Sequence, residues 1–322
     1  MLNLEELRFI AKVARLYYSQ SMTQSAIASQ LDISQATVSR LLKRAIAEQV
    51  IRITVSMPGG VYAELEDQLE DQYNLKRAIV VDCPEGCDDT LLLDALGAAA
   101  AYYVETTIRQ GEVIGISSWS ATLLAMVDAM PQLNRSLNVQ IVQILGGIGS
   151  PSAEIYAARL TERLARAVNG QTVFLPAPGV VPSEDAKALM LKDQFVQEAM
   201  GYFNQVTMAL VGIGDIQPSK LLASSGNVFS NDELETLSQH GAVGDICLRF
   251  FDSNGKPVNA PLDRRVIGIG LDQLQKVRRC VGIAGGERKY SAIRGALQGR
   301  WLNVLITDHL TATRLVAEKS NR

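Results

Sequence analysis

Residues 23–44, TQSAIASQLDISQATVSRLLKR, read as two short helices about a tight turn. Thr23 supplies an N-cap, and Ile27 and Leu31 follow at i,i+4 spacing on one face. Past the turn at Asp32 and Ile33, Ser34 caps a second helix, whose Val38, Leu41, Leu42 and Ala45 form an i, i+3, i+4, i+7 apolar stripe. Gln35, Thr37, Ser39, Arg40, Lys43 and Arg44 are left outside, a face with three cations and no anion. Such a face can donate to base edges near its N-terminal end and to phosphates further along. The stretch is therefore expected to be a helix-turn-helix that enters a DNA major groove, with Thr23, Gln24 and Ser34 completing its contact set. Two amphipathic helices in an ordinary core would show the same periodicity. The close caps, the cationic outer face and the N-terminal position favour DNA. Asp32 stands where many such turns carry glycine, and Asp tolerates the left-handed conformation better than most residues.

Outward from this stretch, residues 4–19 read as a first helix. IRITV (51–55) alternates as a short strand after the recognition helix, a wing or a link to the body. Met57-Pro58-Gly59-Gly60 then breaks the chain. Tyr62, Leu65, Leu69 and Tyr73 recur at helical spacing, so a helix there could pair with a copy of itself. These signals divide the 322 residues into a winged helix-turn-helix (1–57), a linker helix suited to oligomerisation (58–75) and a larger effector domain (76–322). Charge is divided the same way. Residues 1–57 hold seven Lys/Arg against four Asp/Glu, net +3, whereas the rest carries 24 against 30, net −6. A basic head on an acidic body directs nucleic acid to one end.

From residue 78 onward, apolar strands alternate with helical stretches. AIVV (78–81), EVIGI (112–116), VQIVQIL (139–145), TVFLP (172–176), VTMALVGI (206–213), RVIGI (265–269), RCVGIA (279–284) and LNVLIT (302–307) are the strands. Continuous apolar strands between helices indicate a parallel sheet covered on both faces, an α/β fold. Ligands bind such sheets beyond the carboxyl ends of the strands. Four loops there are candidates: GISSWSAT (115–122), with Ser117, Ser118, Ser120 and Thr122 at a helix start; ILGGIGS (144–150), where Gly146 and Gly147 permit close backbone approach; VGIGD (211–215); and GIAGGERK (282–289), which ends in Lys289. Hydroxyls, free N–H groups and a cation at helix starts suit an anion. Singly each loop reads as a tight turn, but four small-residue strand ends in one sheet read as a site. Asp245, in GAVGDICLRFFD, is a carboxylate among apolar neighbours that needs partners, and sugar hydroxyls are good ones.

No dinucleotide fingerprint, phosphate loop or nucleophile elbow is present, so no cofactor and no enzyme are expected. Asp215, Asp245 and Asp308 follow strands or glycines, which leaves acid–base work conceivable, although helix capping is the plainer role for Asp308. Cys83 and Cys87 are spaced C-x3-C, yet with His240 and His309 the only histidines there is no second zinc-type pair, and no metal is expected. Reduced thiols, no signal peptide and no run of 18 apolar residues point to the cytoplasm and to no membrane partner.

To about residue 318 the chain resembles the SorC-type branch of bacterial sugar-responsive transcriptional regulators, grouped with DeoR-like proteins. The likeness is carried, in order, by LYYSQSMTQSAIASQLDISQATVSRLLKRA (16–45), GISSWSAT, IVQILGGIG (141–149), FLPAP (174–178), ALVGIGD (209–215), GAVGDICLRFFDSNGKPV (241–258), VGIAGGERKYSAI (281–293) and LNVLITDHLTA (302–312). The resemblance implies a winged helix-turn-helix head and an effector domain similar to ribose-5-phosphate isomerase and glucosamine-phosphate deaminase. It also implies a homotetramer whose hold on double-stranded operator DNA changes when a sugar phosphate enters. The implied effector site comprises the loop with Ser117, Ser118, Ser120 and Thr122, then Gly146, Gly147, Asp245 and Lys289. Many relatives carry glycine directly after the tryptophan where this chain has Ser120, so an unphosphorylated sugar or polyol stands as an alternative ligand. The competing function is a sugar-phosphate isomerase or deaminase with a DNA-binding head, in which Asp245 and Lys289 would act as base and polarising group. Turnover separates the two, because a regulator binds its sugar and converts none.

Overall fold

Two hydroxyl caps set the geometry of the smaller of two units, Met1–Pro58. The computed structural model describes residues 4–48, 50–51, 60–83, 88–147, 151–217 and 230–320. In it α1 (Leu4–Tyr18), α2 (Gln24–Gln30) and α3 (Gln35–Ala47) fall where the apolar periods predict. Thr23 Oγ1 accepts from the N–H of Ala26 at 3.2 Å, and Ser34 Oγ from that of Thr37 at 3.1 Å. Each cap contributes about 1 kcal/mol. Between them Asp32 turns the chain at φ 54°, and the N–H of Ile33 donates back to Ala28 O. Val13, Leu16, Ile27, Ala28, Val38 and Leu42 close the core of this unit. Of the expected strand 51–55 only Ile51 is described, partly buried beside Ile10, Ala14 and Ala45. The rest of the wing, with Met57-Pro58-Gly59 of the chain break, lies outside the described residues.

The larger unit, Gly59–Arg322, opens with α4 (Ala63–Tyr73) and then alternates. It runs β1 (Arg77–Val81), α5 (Asp89–Thr107), β2 (Val113–Ile116), α6 (Ala121–Ala129), β3 (Gln140–Gln143), α7 (Pro151–Ala167) and β4 (Gln171–Val173). Next come α8 (Glu184–Met190), α9 (Gln194–Gly201), β5 (Met208–Gly212), α10 (Asn231–Gln239), β6 (Ala242–Ile246) and β7 (Arg249–Asp252). Last are α11 (Leu271–Lys276), β8 (Arg279–Ile283), α12 (Tyr290–Gln298), β9 (Val304–Asp308) and α13 (His309–Ser320). Seven strands pair in parallel in the order β1-β9-β8-β5-β2-β3-β4. Both faces are buried. Met208 and Leu210 of β5 join side chains of α5, α6 and α7, while Ala209 and Val211 join those of α4, α9, α12 and α13. That two-sided burial is why the strands read as continuous apolar runs.

Strand order reverses between β2 and β5: the chain runs from β2 outward through β3 and β4, then returns to β5 and runs the other way to β8 and β9. A crevice opens beyond the carboxyl ends at such a reversal.

Three expectations need correcting. RVIGI is not a strand of the sheet. It makes isolated antiparallel bridges, Val266 with Val180 and Gly268 with Leu145, and buries Ile267 and Ile269. GAVGDICLRFFD forms an antiparallel hairpin, β6–β7, that the sequence reading did not anticipate. The supposed linker helix, α4, belongs to the larger unit and covers the sheet edge. Leu69 and Tyr73 are buried in the core, and Glu66 and Glu70 accept from the outward N–H groups of Val80 and Ala78, each at 2.9 Å. Tyr62, just before α4, stacks on His309 and donates its hydroxyl to Asp82 at 2.7 Å. Bare edge N–H groups invite pairing with another strand, and the two glutamates satisfy them. The apolar face of α4 is thus spent within the chain.

Candidate functional site

On α3, Gln35, Arg40, Lys43 and Arg44 are exposed, whereas Thr37 and Ser39 are half-buried. Arg40 Nη2 donates to Thr37 Oγ1 at 3.3 Å, and that oxygen lies 2.9 Å from Ser34 Oγ. The helix start therefore carries a short polar chain with a guanidinium resting on it. Thr23 and Ser34 are exposed, with their hydroxyl oxygens engaged as caps, and Gln24 is half-buried. Further along the helix the exposed Lys43 and Arg44 are cations suited to phosphates.

Beyond the sheet, the loop after β2 shows how much of its chemistry is internal. Ser118 is buried, donates its hydroxyl to Leu145 O at 2.7 Å, and receives Gln143 Nε2 at 3.2 Å. Trp119 Nε1 donates to Gly146 O, and the N–H of Gly146 donates to Ile267 O. A Cβ on Gly146 would overlap the carbonyl of Pro178, so this glycine serves close packing of two backbones. Ser120 caps α6 by accepting from the N–H of Leu123, and its hydroxyl occupies the space where Gly212 has no side chain. Ser120 is thus accommodated by a glycine on the neighbouring strand. Ser117, Thr122 and Gly147 are buried at the same strand ends. Residues 148–150 of the second loop lie outside the described residues.

Asp245 reaches this region through the unanticipated hairpin. Its backbone pairs with Gly214 in both directions, which fastens β6 beside the end of β5. The turn residues Cys247 and Leu248 both take positive φ, 53° and 60°, a conformation that side chains disfavour. Asp245 Oδ2 accepts the Leu248 N–H at 2.9 Å and helps hold that turn. Burial pushes the Asp245 carboxyl up to about 6, opposed by the Leu248 N–H and the charge of Lys289 and reinforced by Asp215. Lys289 ends a 3-10 turn directly before α12 and is half-buried. Burial lowers its pKa, while the carboxylates of Asp215 and Asp245 pull it back up. Asp215 Oδ2 takes Arg288 Nε at 2.8 Å. The ends of β5 and β8 thus bring together two carboxylates and two cations.

Asp308 acts as the capping residue that its position suggested. Its Oδ1 accepts the Thr311 N–H, and its Oδ2 accepts Thr311 Oγ1 and the Gly286 N–H. Cys83 is disulfide-bonded, against the expectation of reduced thiols throughout, while Cys247 and Cys280 are free and buried. Cys87 lies outside the described residues. Among the described residues no helix is long and apolar enough to cross a membrane. The sequence reading missed the Asp215–Arg288 pair and Gln143. The signal for Gln143 was present, a polar side chain inside the otherwise apolar run VQIVQIL.

The chain is similar to known proteins along nearly its whole length. Residues 61–317 match the family described as "Putative sugar-binding domain", and residues 11–48 match "Sigma-70, region 4". The deoxyribonucleoside regulator of Bacillus subtilis is 35% identical over 312 residues, 97% of this chain and 98% of that one. The sorbitol operon regulator of Klebsiella pneumoniae is 32% identical over 98% of this chain and all of its own length. The crystal structure of that full-length regulator, SorC, superposes with a TM-score of 0.74 at 31% identity, covering 97% of this chain and 99% of that chain. These relatives are named as regulators, not as enzymes.

Proposed function

The chain belongs to the SorC-type family of sugar-binding transcriptional regulators, and from that premise we propose how its two units divide the work. It is a DNA-binding regulator of sugar use and not an enzyme. Residues 1–57 read operator DNA, with Gln35 and Arg40 at base edges and Lys43 and Arg44 on phosphates. Thr23, Gln24, Ser34, Thr37 and Ser39 orient the helices on the backbone. A sugar phosphate seats beyond the ends of β2, β5 and β8. Lys289 and the N–H groups at the start of α12 meet the phosphate, and Asp245 accepts sugar hydroxyls. Ser117, Thr122 and Gly147 line the seat, while Ser118, Ser120 and Gly146 build its floor. The assembly is a homotetramer acting in the cytoplasm.

The observation that carries this reading is the meeting of a buried carboxylate, Asp245, with a half-buried ammonium, Lys289, at a reversal of strand order. The test begins with DNA sites that the full chain selects from a random pool. Titration with pentose and hexose phosphates and the matching free sugars should change the affinity for the selected site with one phosphorylated member, without turnover. A response to a free sugar alone would reassign the ligand as unphosphorylated. No response to any member, or conversion of one, would overturn the reading.

A further inference from the structure

We propose that Asp215 reads a hydroxyl of the effector and that Arg288 holds it in position to do so, an inference that rests on the crevice being the sugar-phosphate seat. Asp215 follows Gly214 at the end of β5, the strand that flanks the reversal of order. Its two oxygens differ. Oδ2 is engaged by Arg288, but Oδ1 is buried and receives no hydrogen bond among the described residues. An ionised carboxylate has about four acceptor positions, and an enclosed oxygen with none used destabilises the free protein. A ligand hydroxyl would supply the missing donor, so the arrangement favours the bound state.

The charges around it select the class of ligand. The Asp215 side chain is 12% exposed and that of Arg288 64%, so the guanidinium sits toward water and fixes the carboxylate from outside. Asp215 and Asp245 both act on Lys289. A bare phosphate ion there gains one ammonium but faces two carboxylates. A polyhydroxylated phosphate ester answers all three groups, its phosphoryl to Lys289 and separate hydroxyls to the two acids. The hydroxyl facing Asp215 therefore discriminates a full sugar phosphate from its deoxy counterpart, because a buried acceptor left unpaired penalises the analogue that lacks the donor.

The test is titration calorimetry on the full chain with ribose 5-phosphate, 2-deoxyribose 5-phosphate, fructose 6-phosphate, sorbitol 6-phosphate and inorganic phosphate. For the sugar phosphate that the wild type binds, Asp215→Ala should weaken affinity by about tenfold or more, as expected for a lost charge-assisted hydrogen bond. Asp215→Asn, which keeps the shape and one acceptor oxygen, should weaken it less. Affinity for inorganic phosphate should be unchanged or higher, since a negative charge has gone. Arg288→Ala should weaken sugar-phosphate binding in the wild-type background and have little effect beside Asp215→Ala, the signature of a residue acting through another. A deoxy analogue should lose affinity against the wild type and not against Asp215→Ala. Equal affinities in wild type and Asp215→Ala, or equal losses for sugar phosphate and inorganic phosphate, would overturn the inference and leave the crevice reading standing. A wild type that binds no member would instead overturn the crevice reading and this inference with it.

Discussion

Asp245 holds a strained turn through Leu248 and feels the charge of Lys289, and the proposed function gives it the effector as well. Its raised pKa makes a stability statement. The folded value of about 6 lies above the unfolded value near 3.8, so the folded state retains the proton longer. Stability contributed by this group therefore falls as pH rises from about 4 to about 6 and is flat above that. Urea midpoints measured across that range should decline in the wild type and decline less in Asp245→Asn, which can still accept the Leu248 N–H. Identical pH slopes would show that the carboxyl is solvated. Lys289 gives a second outcome at this scale. Lys289→Ala should cost effector affinity about 10- to 100-fold, corresponding to a charge-assisted hydrogen bond of roughly 1.5–3 kcal/mol. Unchanged affinity by calorimetry would move the phosphate seat elsewhere.

The recognition helix is the element whose function depends most on position along its axis. Gln35 and Arg40 lie toward its start and Lys43 further on. Arg40→Ala or Gln35→Ala should each cost roughly 1–3 kcal/mol on the selected site and relax sequence preference there. Lys43→Ala should weaken every sequence alike and reduce the salt slope by about one. Equal losses on selected and random DNA for Arg40→Ala would assign that residue to phosphate instead. The hairpin β6–β7 works differently: it reads nothing itself but delivers Asp245. Arg249 ties it down by donating to Asp263 Oδ1 at 2.9 Å and to the carbonyls of Asp263, Gly268 and Ile269. The RVIGI segment is thereby tied to the hairpin through its backbone, and the burial of Val266, Ile267 and Ile269 accounts for its strand-like composition outside the sheet.

At the scale of the molecule, one recognition helix reads only a few base pairs, and useful specificity calls for two heads about 34–36 Å apart or a multiple of that. Sedimentation of the full chain should show a tetramer, or at least a dimer, on a two-fold symmetric site. Effector should alter operator affinity by an amount set by its differential affinity for the two arrangements. A monomer that binds a single half-site tightly, indifferent to every sugar phosphate, would refute the mechanism. Leu69 and Tyr73 of α4 are already enclosed, so the proposed assembly would pair through other surfaces.

The three head helices and the parallel strands were legible because their signals are local. A cap, a turn residue and an apolar period need only a few neighbouring positions, and Thr23, Ser34 and Asp32 act as their chemistry dictates. The loops of the proposed site were legible as strand ends for the same reason. What those loops do with their polar groups was not. Ser118 donates to Leu145 O, 27 residues away, and the Gly146 N–H to Ile267 O, structural bonds that the loop sequences do not announce. The destination of α4 depended on which strand lay at the edge, a fact of pairing order that periodicity does not contain. The β6–β7 turn lacks the Asn-Gly signature that marks a two-residue hairpin; Cys247 and Leu248 take the positive φ there, and Asp245 Oδ2 holds the Leu248 N–H. Apolar spacing and capping chemistry settled which elements form. Hydrogen bonds between residues far apart in sequence decided where each element lies and which polar groups are left for a ligand.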